Sequence, residues 1–365
     1  MKVRLTKDVL LEGLQMVQSV GGSRTTTLPI LSNVLLAAGK HGLSLTTTDL
    51  DVSVKATIEA TVDTAGTTTL PTKRLSAIIR ELQPGDVEIA VDDKDNATVT
   101  SGAAYFKIMG LSEEEFPPVP KAEGKFAYHL DQGMFREMLK KTSYAASADE
   151  TRYVLNGVLL SFKNGKLTVV ATDGRRLALV ETEVEFPKDA EQDLILPTKA
   201  VNELLHTLGS EGPLKIFAQG NQIVFEFGKT QVSSKLVEGT YPNYRQVIPG
   251  QCEQRIAMER ESLLAALRRM ALLASDKSSA TKLAFGKNKL TISISAADVG
   301  EARETLPIKY AGKEIVVAFN PDYMMDPLRN LTNDEVSIEL TDDLSPGVIK
   351  CDIPFLYVLM PMRIS

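Results

Sequence analysis

A chain of 365 residues, 43% hydrophobic and 24% charged, is long enough for two or three domains with cores of their own, which excludes a single small domain. Lys and Arg number 41 against 47 Asp and Glu, a net charge of −6, which argues against a surface coated by nucleic acid but leaves room for a local basic patch. No run of about 18 apolar residues occurs and the start, Met1-Lys2-Val3-Arg4-Leu5-Thr6, lacks a secretory pattern, so a cytoplasmic protein is expected.

Three stretches of about 120 residues carry the same predicted elements in the same order. In the first, apolar spacing predicts a helix over Lys7 to Ser19, then a strand at Leu43 to Thr47. Leu70-Pro71-Thr72-Lys73 opens a second helix, Lys73 to Leu82, and the strand Val87 to Val91 follows. The second stretch repeats this with a helix over Gln132 to Ala146, whose apolar positions include Met134, Met138 and Leu139, and a strand at Leu167 to Ala171. Leu196-Pro197-Thr198-Lys199 then opens a helix to Leu208 before the strand Leu214 to Ala218. In the third stretch the helix spans Arg260 to Ala274 and the strand Leu290 to Ile294. Phe319-Asn320-Pro321 is a weaker copy of the helix opening, and Pro327 predicts a kink or early end in the helix Asp322 to Leu331 that precedes the strand Val336 to Leu340. Pro71 and Pro197 fall at helix starts, where a missing N–H costs little.

Linkers are expected near Pro117 to Lys125 and Pro249 to Gln254, giving domains 1–122, 126–250 and 253–365. The fold class is α+β: three similar strand-rich domains with two helices each. Basic residues concentrate on the helices, with Lys73, Arg74 and Arg80 in the first stretch, Arg136, Lys140 and Lys141 in the second and Arg268 and Arg269 in the third. Their recurrence suggests a shared charged surface on an otherwise acidic chain.

Catalytic constellations are missing from the sequence. His41, His129 and His206 stand singly, with no second ligand at metal spacing. Gly228-Lys229-Thr230 looks like the end of a phosphate loop, but the glycine needed five residues earlier is Ile223. Asp92-Asp93 and Asp342-Asp343 follow strands, where Asp is common turn chemistry. Cys252 and Cys351 are expected as free thiols. No cofactor, no metal and no enzymatic activity are expected.

Several strings, in order along the whole chain, resemble the bacterial DNA polymerase III beta subunit, the sliding clamp. They are Thr27-Leu28-Pro29-Ile30-Leu31-Ser32-Asn33, Leu45-Thr46-Thr47-Thr48-Asp49-Leu50, Arg152-Tyr153-Val154-Leu155-Asn156-Gly157, Ala171-Thr172-Asp173-Gly174-Arg175-Arg176-Leu177, Tyr241-Pro242-Asn243-Tyr244 and the terminal Tyr357-Val358-Leu359-Met360-Pro361-Met362-Arg363-Ile364. The resemblance implies the DNA clamp fold, a head-to-tail homodimer closed into a six-domain ring around duplex DNA, and partner proteins (polymerase, clamp loader, repair proteins) that dock through short peptides. A ring separates retention from affinity, so its phosphate contacts stay few and sequence-blind.

By that resemblance the DNA-facing residues are Arg24, Lys73, Arg152, Tyr153 and Lys199. The dimer interface involves Phe106, Leu272 and Leu273. The partner-peptide pocket is implied at Leu155, Thr172, Gly174, Arg175, Arg176, Leu177, Pro242 and Val247, with Val358, Met360, Pro361, Met362 and Arg363 from the tail. Three positions depart from the family pattern: Arg175 stands where His is frequent, Gln246 where a basic residue occurs, and Lys277-Ser278-Ser279 where a loop presents an aromatic residue. The residues alone leave open a three-repeat scaffold or ligand-binding protein unrelated to replication, and an enzyme with a dispersed site; the apolar tail Met360-Pro361-Met362 argues against both.

Overall fold

The computed structural model describes residues 1–20, 28–124, 126–274, 280–296 and 299–363; Arg24 and the stretch Lys277-Ser278-Ser279 lie outside them. The first repeat runs β1 (Lys2–Thr6), α1 (Lys7–Val17), β2 (Asn33–Gly39), β3 (Gly42–Thr48), β4 (Val52–Ile58), β5 (Thr61–Thr64), β6 (Gly66–Pro71), α2 (Thr72–Glu81), β7 (Asp86–Val91), β8 (Asn96–Ser101) and β9 (Ala104–Met109). The second is β10 (Ala127–Asp131), α3 (Gln132–Lys140), β11 (Gly157–Lys163), β12 (Lys166–Thr172), β13 (Arg176–Glu183), β14 (Gln192–Pro197), α4 (Thr198–Thr207), β15 (Pro213–Gln219), β16 (Gln222–Phe227) and β17 (Thr230–Lys235). The third is β18 (Gln254–Glu259), α5 (Arg260–Ala271), β19 (Thr281–Gly286), β20 (Lys289–Ala296), β21 (Gly300–Pro307), β22 (Ile315–Phe319), α6 (Pro321–Asn330), β23 (Glu335–Leu340), β24 (Gly347–Lys350) and β25 (Phe355–Leu359). Apart from β5, each repeat reads strand, helix, four strands, helix, three strands.

Strands join across repeats. One eight-stranded sheet has the order β10-β15-β16-β17-β4-β3-β2-β6 and the other β14-β11-β12-β13-β25-β24-β23-β18. The joints are the antiparallel pairs β17·β4 and β13·β25. The remaining sheets, β5-β1-β7-β8-β9 and β21-β20-β19-β22, end on β9 and β21 with no described neighbour beyond them. By compactness the chain divides into Met1–Arg136 with Lys199–Leu236, and Glu137–Thr198 with Val237–Ser365, so the middle repeat is shared between two units.

Strands β11 and β12 are buried on both faces, whereas β1, β10 and β18 alternate buried and exposed residues, as strands with one solvated face do. Leu167, Val169, Val170 and Ala171 of β12 are fully buried. Helix α1 turns Leu10, Leu14 and Val17 onto β3 and β4, and α5 turns Leu263 and Leu267 onto β20 and β21. Each such side chain removed from water is worth about 1.5–3 kcal/mol. The turn roles of the acidic pairs hold: Asp92 accepts from the backbone of Lys94 and Asn96, and Asp342 from that of Leu344 and Ser345.

Two expectations need correction. The opening helices end at Val17, Lys140 and Ala271, short of Ser19, Ala146 and Ala274. In the second, the Thr142 hydroxyl donates back to the Met138 carbonyl at 2.8 Å, and the chain passes into a 3₁₀ turn at Ser143–Ala145. Pro327 does not end its helix: α6 runs on to Asn330, and the Leu331 N–H reaches the Pro327 carbonyl at 2.9 Å. The carbonyl that Pro327 leaves without a donor, that of Tyr323, accepts instead from the Tyr357 hydroxyl at 2.7 Å. No helix among the described residues is long and apolar enough to cross a membrane.

Candidate functional site

The turn from β12 to β13 is built by side chain–backbone bonds. The Thr172 hydroxyl donates to the Arg176 carbonyl at 2.6 Å and accepts from the Gly174 N–H at 3.1 Å. One oxygen of Asp173 accepts from the backbone of Arg175 and Arg176 at 2.9 and 3.0 Å. Gly174 sits at φ +85°, where a side chain is strained, and an added Cβ would meet the Arg152 guanidinium at 3.2 Å. The tail strand closes against this turn: Leu177 lies opposite Val358 and the Met360 N–H donates to the Arg175 carbonyl at 2.9 Å.

Below the turn lies an apolar cluster of Leu159, Val170, Leu177, Ile195, Tyr241 and Val358, with Leu155, Tyr244 and Ile248 packed on it. Tyr241 was not foreseen in this role; its hydroxyl accepts from the Thr172 N–H at 3.1 Å, and burial pushes its pKa up. Of the expected pocket residues, Leu177, Val358 and Thr172 are buried, Leu155 and Met362 half-buried, and Gly174, Arg175, Pro242, Val247, Met360 and Arg363 exposed. Pro361 is half-buried, and the Met362 N–H donates to the Ala318 carbonyl at 2.8 Å. Gln246 is exposed in the 3₁₀ segment Tyr244–Val247.

Arg176 differs from Arg175. Its guanidinium is largely buried and bonds Asp173 at 3.0 Å, Asp326, and the Tyr144 carbonyl at 2.7 Å, with the Tyr323 ring 4.2 Å away. Burial works against its charge, yet the carboxylates of Asp326 and Asp173 hold its pKa above the ordinary value. Arg176 is thus a staple between the second and third repeats, while Arg175 is the cation left facing solvent.

The same turn occurs at the other joint. The Thr48 hydroxyl donates to the Val52 carbonyl at 3.2 Å and accepts from the Leu50 N–H at 3.1 Å, and Asp49 accepts from the backbone of Asp51 and Val52. Leu50 stands where Gly174 does and takes the same left-handed φ, +80°. The Lys235 N–H donates to the Asp51 carbonyl as Met360 does to Arg175. Ser53 opposite Ser233 replaces Leu177 opposite Val358, and Thr46 and Thr69 replace Val170 and Ile195. One turn therefore frames a polar floor at the β17·β4 joint and an apolar floor at the β13·β25 joint.

Among the other expected residues, Lys73 is exposed at the start of α2, and Lys199, at the matching place in α4, pairs with Asp49. Arg152 donates to the Asp173 carbonyl at 3.1 Å, which brings it to the rim of the pocket turn; Tyr153 beside it is 60% exposed. Several helix cations are engaged locally. Arg136 donates to the Leu205 carbonyl, Lys141 pairs with Glu137 and Arg269 with Glu304. Lys73, Arg74, Arg80 and Arg268 have no ion pair among the described residues. Phe106 on β9 is 38% exposed, Leu272 81%, and Leu273 is half-buried. No cluster of three metal-ligating side chains occurs among the described residues.

Models of the DNA polymerase III beta subunit match the chain in succession: the N-terminal domain at residues 1–120, the central domain at 129–243 and the C-terminal domain at 245–363. The beta sliding clamp of Chlamydia muridarum is 34% identical over 364 residues, covering 100% of this chain and 99% of its own. The sliding clamp structure from Bacillus subtilis superposes with a TM-score of 0.94 at 28% identity, each chain fully covered. That of Pseudomonas aeruginosa bound to griselimycin does so with 0.94 at 31% identity, again over all of both chains.

Proposed function

The chain belongs to the DNA polymerase III beta subunit family and is a DNA sliding clamp, and on that premise we propose where it holds its partners, its second copy and DNA. As a polymerase processivity factor it needs a surface for proteins that come and go. We assign that surface to the groove over Leu177 and Val358, bounded by Leu155, Pro242, Val247 and the tail residues Met360 and Met362. The observation that carries this is the contrast between joints: the same turn covers Ser53 and Ser233 at the β17·β4 joint but Leu177 and Val358 at the β13·β25 joint. The ligand class is a short apolar peptide with Leu or Phe, and Arg175, exposed at the turn, is available to its polar residue. Two large apolar side chains bury about 3–6 kcal/mol gross, part of which ordering the peptide takes back, so an affinity near micromolar is expected. The griselimycin-bound relative is in keeping with a ligand-accepting surface on this fold. Deleting Met360 to Ser365 should abolish binding of a labelled polymerase-tail peptide in an anisotropy titration, and undiminished binding sinks the assignment.

The second copy is assigned to the open edges. Strands β9, β17 and β25 occupy the same place, because a residue two or three beyond each strand bonds back alike: Leu111 to Thr69, Val237 to Ile195 and Met362 to Ala318. Phe106 therefore matches Val232 and Tyr357, both fully buried inside completed joints, whereas Phe106 is 38% exposed. This unfinished seam supports a head-to-tail homodimer in which β9 of one subunit pairs with β21 of the other, Phe106 packing near Leu272 and Leu273. The domain limits 1–122, 126–250 and 253–365 are kept for this reading. The DNA contacts are assigned to Arg24, Lys73, Arg152, Tyr153 and Lys199, with cytoplasmic residence.

A further inference from the structure

The apolar floor continues past the pocket. Along β13 and β25 the pair after Leu177 and Val358 is Leu179 and Leu356, on the same face and packed on the same cluster. They floor an open cleft of about 600 Å³ walled by Tyr244 and Ile248, which also pack on that cluster. At the β17·β4 joint the matching pair is Lys55 and Gln231, and there the Gln231 amide donates to the Pro120 carbonyl at 2.7 Å, tying the overlying chain down. Leu356, at Gln231's place, has no such donor.

The far rim is cationic: Lys163, Lys166, Arg245 and Lys350 line the cleft, against Glu181 as the acid among its described lining residues. The lysines are spoken for, Lys163 by Asp193, Lys166 by Glu181 and Lys350 by Glu339. Arg245 is exposed, with its guanidinium engaged by the Tyr244 side chain, and has no ion pair among the described residues.

We propose that this cleft is a further subsite of the peptide groove, taking an apolar side chain over Leu179 and Leu356 and an acidic side chain at Arg245 from the residues that flank the core peptide. The proposal rests on the pocket reading above and deepens it. Two strand residues advance about 7 Å, the reach of two extended peptide residues, so a chain leaving Leu177 and Val358 along the sheet arrives over Leu179 and Leu356. An arginine without a carboxylate partner, beside apolar surface, is suited to hold a flanking Asp or Glu.

The test uses the full-length protein and three labelled peptides: a five-residue core carrying Gln and a Leu-Phe pair, and the same core extended by Leu-Asp at its N-terminal or its C-terminal end. One extended peptide should bind roughly tenfold tighter than the core, with the advantage shrinking in high salt. Leu356→Gln, which copies the β17·β4 joint, and Arg245→Glu, a surface change that leaves the fold alone, should each remove that advantage and leave core affinity within about twofold. If neither extension gains over the core, or if both variants weaken core and extended peptides equally, the subsite is overturned. If the core itself does not bind the wild-type protein, the pocket reading falls, and the extension falls with it.

Discussion

At the scale of single residues, several side chains do work that their sequence neighbours do not announce. Tyr357 supplies the proton that Pro327 withholds from the Tyr323 carbonyl. Tyr357→Phe should leave that buried carbonyl unpaired and lower stability by about 1–3 kcal/mol in urea unfolding. Adding Pro327→Ala returns a backbone N–H to the same carbonyl, so the double variant should recover most of the loss; independent, additive effects would refute the pairing. Glu203 on α4 is 6% exposed, with its carboxylate accepting from the Ser19 hydroxyl at 2.7 Å. Burial raises its pKa above the ordinary 4.5, and the Ser19 bond only partly opposes this. The folded state then holds the proton more tightly than the unfolded one, so stability falls as pH rises from about 4.5 through the folded pKa. Glu203→Gln keeps an acceptor for Ser19 without the charge. Its melting temperature relative to wild type should therefore climb across that weakly acidic range and stay higher at neutral pH; a difference independent of pH would be inconsistent with a buried ionising carboxylate.

Among elements, hydrogen-bond register carries information that letters do not. Lys55, Leu179 and Arg303 occupy one position on β4, β13 and β21, reached through Leu35·Thr46·Lys55, Leu159·Val170·Leu179 and Lys282·Ser293·Arg303. Their partners at the joints are Gln231 and Leu356, and the matching residue on β9 is Tyr105. Carried to the proposed β9·β21 seam, the same register would set Lys107 of one subunit opposite Glu301 of the partner subunit. Lys107→Glu should then weaken the homodimer by about tenfold or more in sedimentation, through two like-charge pairs per ring, and Glu301→Lys in the same chain should restore it. Restoration failing while each single variant still folds would put the seam in another register. The repeats themselves were legible in the sequence through Leu70-Pro71-Thr72-Lys73 and Leu196-Pro197-Thr198-Lys199, because a helix start constrains residue type. The shared turn left a trace of only two letters, Thr-Asp at 48–49 and 172–173, and its equivalence shows in the bonds that these residues make. Resemblance places Leu177 and Val358 in the pocket, but their contrast with the other joint was not legible, because Ser53, Leu177 and Glu301 share no chemistry and are aligned only by strand pairing. Nor was the role of Arg176, whose partners Asp326 and Tyr323 come from a distant repeat.

For the whole molecule, charge has to be reconciled with a duty to DNA. The chain is net −6, and part of the helix cation count is consumed locally, by Glu137 for Lys141 and by Glu304 for Arg269. What is left on the first repeat's second helix is Lys73, Arg74 and Arg80, exposed and without ion pairs among the described residues. A small set of helix cations on an acidic body gives weak affinity for an open duplex, and a closed ring makes weak affinity sufficient, because leaving circular DNA requires opening the seam rather than breaking phosphate contacts. Reversing Lys73, Arg74 and Arg80 together to Glu should weaken binding to linear duplex and flatten its log–log salt dependence, by up to roughly one unit of slope per cation that touches phosphate. Once loaded on a nicked circle, however, the variant should remain bound for as long as the wild type, whereas Lys107→Glu, aimed at the seam, should shorten that lifetime while leaving the salt slope on linear DNA unchanged. Retention on circles that tracked the helix cations instead of the seam would mean that charge, and not closure, holds this protein on DNA.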